Sequence, residues 1–137
     1  MQITKQADYA VRAMTYLAQL GPAGQAATGV IARERSIPPS FLAKIVSQLS
    51  VAGLLHTSRG ANGGVSLAKP AADISLLDVV EAIDGPILLN DCVHDSANCK
   101  YQDDCPLKSV WCDAQKQLVD SLSKANFEQL IQVAARG

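Results

Sequence analysis

The chain has 137 residues, of which 48% are hydrophobic and 18% charged, and its formal net charge is −1. That length holds one domain with a true core, or a small domain plus an appended element, and the balance excludes a disordered chain. No apolar run approaches the ~20 residues that span a bilayer, and the opening "MQITKQADYAVRAM" lacks the apolar core of a secretory signal; a cytoplasmic protein without a membrane partner is expected.

The small net charge hides an asymmetry. Residues 1–72 carry seven basic and two acidic residues, net +5, whereas residues 73–137 carry five basic and eleven acidic ones, net −6. A basic half suits a polyanion such as DNA, and an acidic half does not. An accident of surface composition gives the same numbers, so the motifs have to decide.

Residues 3–20 read as a first helix, with Ala10, Val11, Met14, Leu17 and Ala18 on one face at helical spacing. "GPAGQA" breaks it. Thr28 is the expected N-cap of a short helix running to Arg35, and "SIPPS" makes a tight connection. Pro39 suits the first turn of the next helix, where a proline forfeits no intrahelical bond. That helix, residues 39–51, is expected to bury Leu42, Ile45, Val46 and Leu49, to expose Ser40, Ala43, Lys44 and Ser47, and to close at Gly53. In "LLHTSRGANGGVSLAKP" two short runs of β-formers flank "GANGG", whose Asn62-Gly63 pair tolerates the positive φ angles of a tight hairpin.

Beyond the hairpin, "DISLLDVVEAIDGP" predicts a helix started by Ser75 and Asp78 as a capping box, with Leu76, Val79, Val80 and Ile83 as its apolar stripe. From Pro106 the pattern is helical again, with Leu107, Val110, Trp111, Ala114, Leu118, Leu122 and Ala125 recurring every three or four residues. The simplest use of such a seam is dimerisation, and Leu107, Trp111, Leu118 and Leu122 are its expected contacts. "NFEQLIQVAA" is a short terminal helix. The fold class expected is mainly α: a winged helix-turn-helix with a small β-hairpin wing over 1–85, a cysteine-rich segment over 86–105, and a long dimerisation helix plus a terminal helix over 106–137. A small α+β domain with a surface hairpin is the alternative.

In a winged helix the second helix of the motif lies in the major groove, and only its solvent face meets base edges. Here that face offers Ser40, Lys44, Ser47 and Gln48. Arg59, at the wing beside Asn62, is placed to enter an adjacent A·T-rich minor groove. Solvated charge is the alternative for Lys44 and Arg59. His56, at the root of the wing, reads as structural or phosphate-facing.

All four cysteines lie between residues 92 and 112: Cys92, Cys99, Cys105 and Cys112 are separated by six, five and six residues. Zinc sites usually use pairs two to four residues apart, whereas wider spacing can wrap an iron–sulfur cluster. Cys105 precedes Pro106 and is expected at the N-cap of the long helix, where the dipole and open amides favour the ligating thiolate. A regulatory disulfide is the alternative. His94 is a possible ligand, although solvation is the commoner fate of a loop histidine. Cys112 reads as a semi-buried small apolar residue on the helix flank.

"TKQADYAVRAMTYLA", "IPPSFLAKIVSQLSVAGLLHTSRGANGGVSLAKP", "ISLLDVVEAIDG" and the cysteines Cys92, Cys99 and Cys105 together resemble the Rrf-two family of bacterial winged-helix regulators, with its IscR, NsrR and RirA types, over nearly the whole chain. The resemblance implies a homodimer with a long crossing helix, binding to an operator on double-stranded DNA, and a cluster held by Cys92, Cys99 and Cys105 plus a fourth, non-cysteine ligand. IscR-type proteins carry a histidine two positions after the third cysteine, where this chain has Leu107, and an acidic residue where it has Ala43. The acidic ligand in the first helix of NsrR-type proteins is matched by Asp8, which in a domain-crossed dimer could arrive from the other subunit; a dipole-favoured helix-terminal aspartate is the alternative.

The function expected is therefore a dimeric repressor whose operator binding follows an iron–sulfur cluster, four-iron in preference to two-iron, responding to nitric oxide, redox or iron status. Rivals are a cluster-free regulator sensing through thiols or zinc, and a small iron–sulfur electron carrier. No nucleophile–base motif, phosphate loop or nucleotide fingerprint points to an enzyme or a small-molecule substrate.

Overall fold

Helix α1 (Lys5–Gln19) begins where the sequence supplies a cap: the Thr4 side chain accepts from the Ala7 N–H at 3.1 Å, relieving one of the open amides of the first turn. This is a computed structural model, and it describes residues 3–60, 63–89 and 106–136. The inner face of α1 is Ala7, Ala10, Ala13, Met14, Leu17 and Ala18, all buried. Its small residues let α3, α4 and the terminal helix crowd against it.

After α1, Gln25–Ala26 form a short strand β1, which the sequence did not reveal. Helix α2 (Thr28–Glu34) starts one residue earlier than expected: Ala27 is its N-cap, its carbonyl accepts from Val30 and Ile31, and Thr28 is already helical. The turn to α3 places Ser36 at φ 54° and closes with the Ile37 N–H on the Ala32 carbonyl at 2.9 Å.

Helix α3 (Pro39–Val51) has Pro39 in its first turn and buries Leu42, Ile45, Val46 and Leu49, as its period requires. Gly53, at φ 80°, ends it. Strands β2 (Leu55–Ser58) and β3 (Gly64–Leu67) form the hairpin, Leu55 opposite Leu67 and Ser58 opposite Gly64. β1 joins the other edge of β3, Gln25 opposite Ser66, so the sheet has three antiparallel strands in the order β1-β3-β2.

A short 3-10 turn (Ala71–Asp73) leads to α4 (Leu76–Asp84). Its capping box is complete: the Asp78 N–H donates to Ser75 Oγ and the Ser75 N–H to Asp78 Oδ2, both at 3.0 Å. Helix α5 (Lys108–Lys124) packs on α4 and buries none of its residues in the single chain. Its N-cap is Leu107, not residue 105, because residues 106 and 107 are a turn.

Helix α6 (Phe127–Arg136) returns to the core. Phe127 is fully buried, its N–H donates to the Ile74 carbonyl at 3.1 Å, and the Leu76 N–H donates to the Ala125 carbonyl at 2.7 Å. One core joins Met14, Leu17, Ile31, Leu42, Leu49, Ile74 and Phe127. Among the described residues no helix is long and apolar enough to cross a membrane.

Candidate nucleic-acid interface

The burial of Leu42, Ile45, Val46 and Leu49 fixes which way α3 faces, and Ser40, Ala43, Lys44 and Ser47 project outward as its exposed side. Gln48 departs from them: it is half-buried, and its Oε1 is enclosed without a hydrogen-bond partner. Two hydroxyls and one ammonium on the outer face can meet base edges or phosphates.

The wing tip presents Arg59, exposed like its neighbours His56, Thr57 and Ser58. Gly60 adopts φ 101°, and the Gly63 N–H donates to its carbonyl at 2.9 Å. A Cβ on Gly63 would stand 2.3 Å from the Ser58 carbonyl oxygen, so only glycine permits so tight a tip. Asn62 lies outside the described residues. The exposed aromatic Phe41, one residue past Ser40 and 41% exposed, was missed by sequence reasoning; an apolar residue in an amphipathic helix gave no sign that it stays outside the core.

Asp8 stands in the first turn of α1 and pairs with Arg12 at 2.8 Å, their side chains 47% and 43% exposed. The Thr4 hydroxyl donates to Asp84 Oδ1 at 2.5 Å, and Asp84 is the last residue of α4. On the other side Gln115 of α5 accepts from the Leu89 N–H at 2.9 Å and donates to the Ile87 carbonyl. Cys92, Cys99, Cys105 and His94 lie outside the described residues, and among those described no three His, Cys, Asp or Glu side chains converge. Cys112 is exposed, not semi-buried as its helical position suggested, because no described residue covers the flank of α5 it occupies. Of the seam, Leu107, Val110 and Trp111 are exposed, at 54%, 58% and 38%, while Leu118 and Leu122 are half-buried.

Three helices about a shared core, a three-stranded sheet and an arginine-tipped wing define a winged helix-turn-helix, a class of DNA-binding domain. The model of the Rrf2 family, described as iron-dependent transcriptional regulators, matches residues 3–133, and the chain belongs to that family. It is 34% identical over 132 residues to protein aau3 of Rhizobium meliloti, spanning 96% of this chain and 85% of that one. It is 40% identical over 87 residues to a putative HTH-type transcriptional regulator of Mycobacterium tuberculosis, a match covering 64% of this chain and 54% of the relative. Among solved structures, CymR, the global cysteine regulator of B. subtilis, superposes with a TM-score of 0.81 at 25% identity over 97% of this chain and 98% of that one. IscR of T. potens gives 0.75 at 25% identity over 98% and 88%, and the oxidised form of Staphylococcus aureus CymR 0.75 at 26% over 96% of each. The protein is a DNA-binding transcriptional regulator and not an enzyme.

Proposed function

We propose that the protein is a cytoplasmic homodimeric repressor that reads a two-fold symmetric, A·T-flanked operator, and that an iron–sulfur cluster held by Cys92, Cys99, Cys105 and Asp8 controls its occupancy. Ser40, Lys44 and Ser47 of α3 read the major groove, with Gln48 at the far end of the helix and Arg59 and Asn62 at the wing. The observation that carries the sensing half is the pair of ties at the start of the cysteine segment. Thr4–Asp84 fixes the end of α4, two residues before the segment, to the N-cap of α1, and Gln115 joins residues 87 and 89 to α5. Whatever rearranges the segment therefore pulls on both the DNA-binding core and the helix expected to cross between subunits.

The donors suit such a group. Thiolates are its usual ligands, and the Asp8 carboxylate is half-exposed and, among the described residues, engaged in a surface ion pair with Arg12, an interaction worth about 0–1 kcal/mol that ligation can replace. A four-iron cluster is favoured over a two-iron one. Bound, it would supply sensitivity to nitric oxide, oxygen or iron supply; the chain's own part is to turn segment geometry into the spacing of two recognition helices. A difference of a few kcal/mol between two arrangements is enough to switch operator occupancy. Leu107, Trp111, Leu118 and Leu122 are the proposed subunit contact.

The likeness to CymR, including an oxidised form, favours a second reading in which thiols sense without a cluster. The visible absorption spectrum of anaerobically purified protein separates them. A broad brown absorption with iron and sulfide in stoichiometric amount supports the cluster; a colourless protein with titratable thiols supports the second reading.

A further inference from the structure

On α1, the exposed Lys5 and Arg12 flank Tyr9, which is half-buried and packs at the edge of the core, and the three recur at helical spacing as one ridge. Lys5 Nζ lies 5.4 Å and Arg12 Cζ 5.6 Å from the centre of the Tyr9 ring, close enough for cation–π attraction to hold both cations along it. The same ring meets Phe41 of α3 edge-on, centroids 5.9 Å apart and planes at 62°. Phe41 takes no part in the buried core that Leu42, Ile45 and Leu49 build beside it. It stands instead at the margin of the exposed side of α3, about 100° around the helix from Ser40.

An α-helix in the major groove is bordered on each side by a sugar–phosphate strand. What flanks the exposed side of α3 toward α1 meets one of those strands, and the flank is this ridge. We infer that Lys5, Tyr9 and Phe41 form a second DNA contact, gripping the backbone strand beside the recognition helix, with Arg12 at the far end of the grip. Lys5 has no carboxylate at ion-pair distance among the described residues, so its charge is available to a phosphate. Arg12, already paired with Asp8 at 2.8 Å, contributes less. The rings of Tyr9 and Phe41 give deoxyribose an apolar edge. Such a contact sets register on the duplex and carries no sequence information.

The inference deepens the reading of α3 as the recognition helix and rests on it. An acidic surface of a second copy is the other polyanion within reach, since residues 73–137 carry net −6. Continuity with Ser40 and Lys44 favours DNA. The test uses the full chain, a duplex it selects from a random pool, and an unrelated duplex of equal length. Lys5→Ala should make the slope of log affinity against log salt shallower by about one. It should weaken both duplexes alike, by about five- to tenfold near 100 mM salt, while Lys5→Arg keeps the wild-type slope. Phe41→Ala should weaken both duplexes with the slope intact. Lys5 is exposed, so Lys5→Ala should keep the wild-type circular dichroism. An unchanged slope in Lys5→Ala overturns the inference, and so does an unchanged slope with weakened self-association, which would give the ridge to a subunit contact. Failure of the recognition-helix reading itself shows separately, as unaltered binding in Lys44→Ala.

Discussion

Thr4 and Asp84, eighty positions apart, tie the N-terminus of α1 to the C-terminus of α4: the Thr4 hydroxyl reaches Asp84 Oδ1 at 2.5 Å and its N–H reaches Oδ2 at 3.3 Å. Asp84 sits at the end of its own helix, where the dipole disfavours an anion, and the positive end of α1 offsets this. Thr4 also caps α1. Thr4→Val removes the cap and the tie together and should cost about 1–2 kcal/mol in urea unfolding. Asp84→Asn, which keeps the shape and the cap, should cost less. Equal losses would show that the tie, rather than the cap, dominates.

The reading head makes a separate prediction. Lys44 and Arg59 are exposed on α3 and on the wing, and truncation of a side chain that contacts a base should cost about 1–3 kcal/mol of operator affinity. Lys44→Ala and Arg59→Ala should each show this in fluorescence anisotropy and should narrow the preference for operator over unrelated DNA. Lys5→Ala should leave that preference intact. Binding unaltered in both Lys44→Ala and Arg59→Ala would remove α3 and the wing from the interface.

The burial of α3 was legible because its apolar residues follow one period and Pro39 and Gly53 mark its ends. The capping box of α4 was legible because Ser75 and Asp78 stand at the required spacing. Strand β1 was not: two residues carry no period, and only pairing with β3 makes Gln25–Ala26 a strand. The start of α2 was misplaced by one because the Ala27 carbonyl already accepts helical bonds, leaving Thr28 inside the helix. The ridge escaped notice because Lys5, Tyr9 and Arg12 look like an ordinary solvated face until Phe41 is brought to them from α3. Cys92, Cys99 and Cys105 remain where the sequence left them, outside the described residues.

Phe127 was equally silent in the sequence, an aromatic in a short terminal helix. It is fully buried among Met14, Leu17 and Ile74, and it brings the chain back from α5 to the DNA-binding core. Phe127→Ala should destabilise by about 3–5 kcal/mol, and hydrogen exchange should show α6 losing protection first. A loss under about 1 kcal/mol would mean that α6 is dispensable to the core.

Leu107, Val110 and Trp111 are exposed at the start of a helix that has no fully buried residue. An apolar cluster of that kind in solvent calls for a partner, and a second copy of α5 offers the same seam in return. Sedimentation should give a dimer at micromolar concentration, with or without iron. Leu118→Asp and Trp111→Asp should each yield monomers and abolish operator binding together. A wild-type monomer would leave the seam without a subunit to cover it.

The identity of the fourth ligand divides Asp8 from Cys112. Cys112 would complete an all-thiolate set, yet it lies four residues beyond Lys108, the first residue of α5, about 6 Å along the axis from the helix start. Its side chain is exposed on the helix flank. Asp8 lies one turn from Thr4, which is bound to Asp84, the residue ending α4, eight positions before Cys92 in the sequence. Among the described residues its carboxylate is held by Arg12, in a pair half open to solvent; such pairs are worth about 0–1 kcal/mol. An oxygen ligand also leaves one iron more labile than a thiolate would, which suits a sensor. Anaerobic iron and sulfide content should therefore fall to background in Cys99→Ala and match wild type in Cys112→Ala. In Asp8→Ala the cluster should assemble but decay faster in air. Arg12→Ala, which removes the competitor for the carboxylate, should slow that decay relative to wild type. Loss of colour in Cys112→Ala, with Asp8→Ala as durable as wild type, would reverse the assignment.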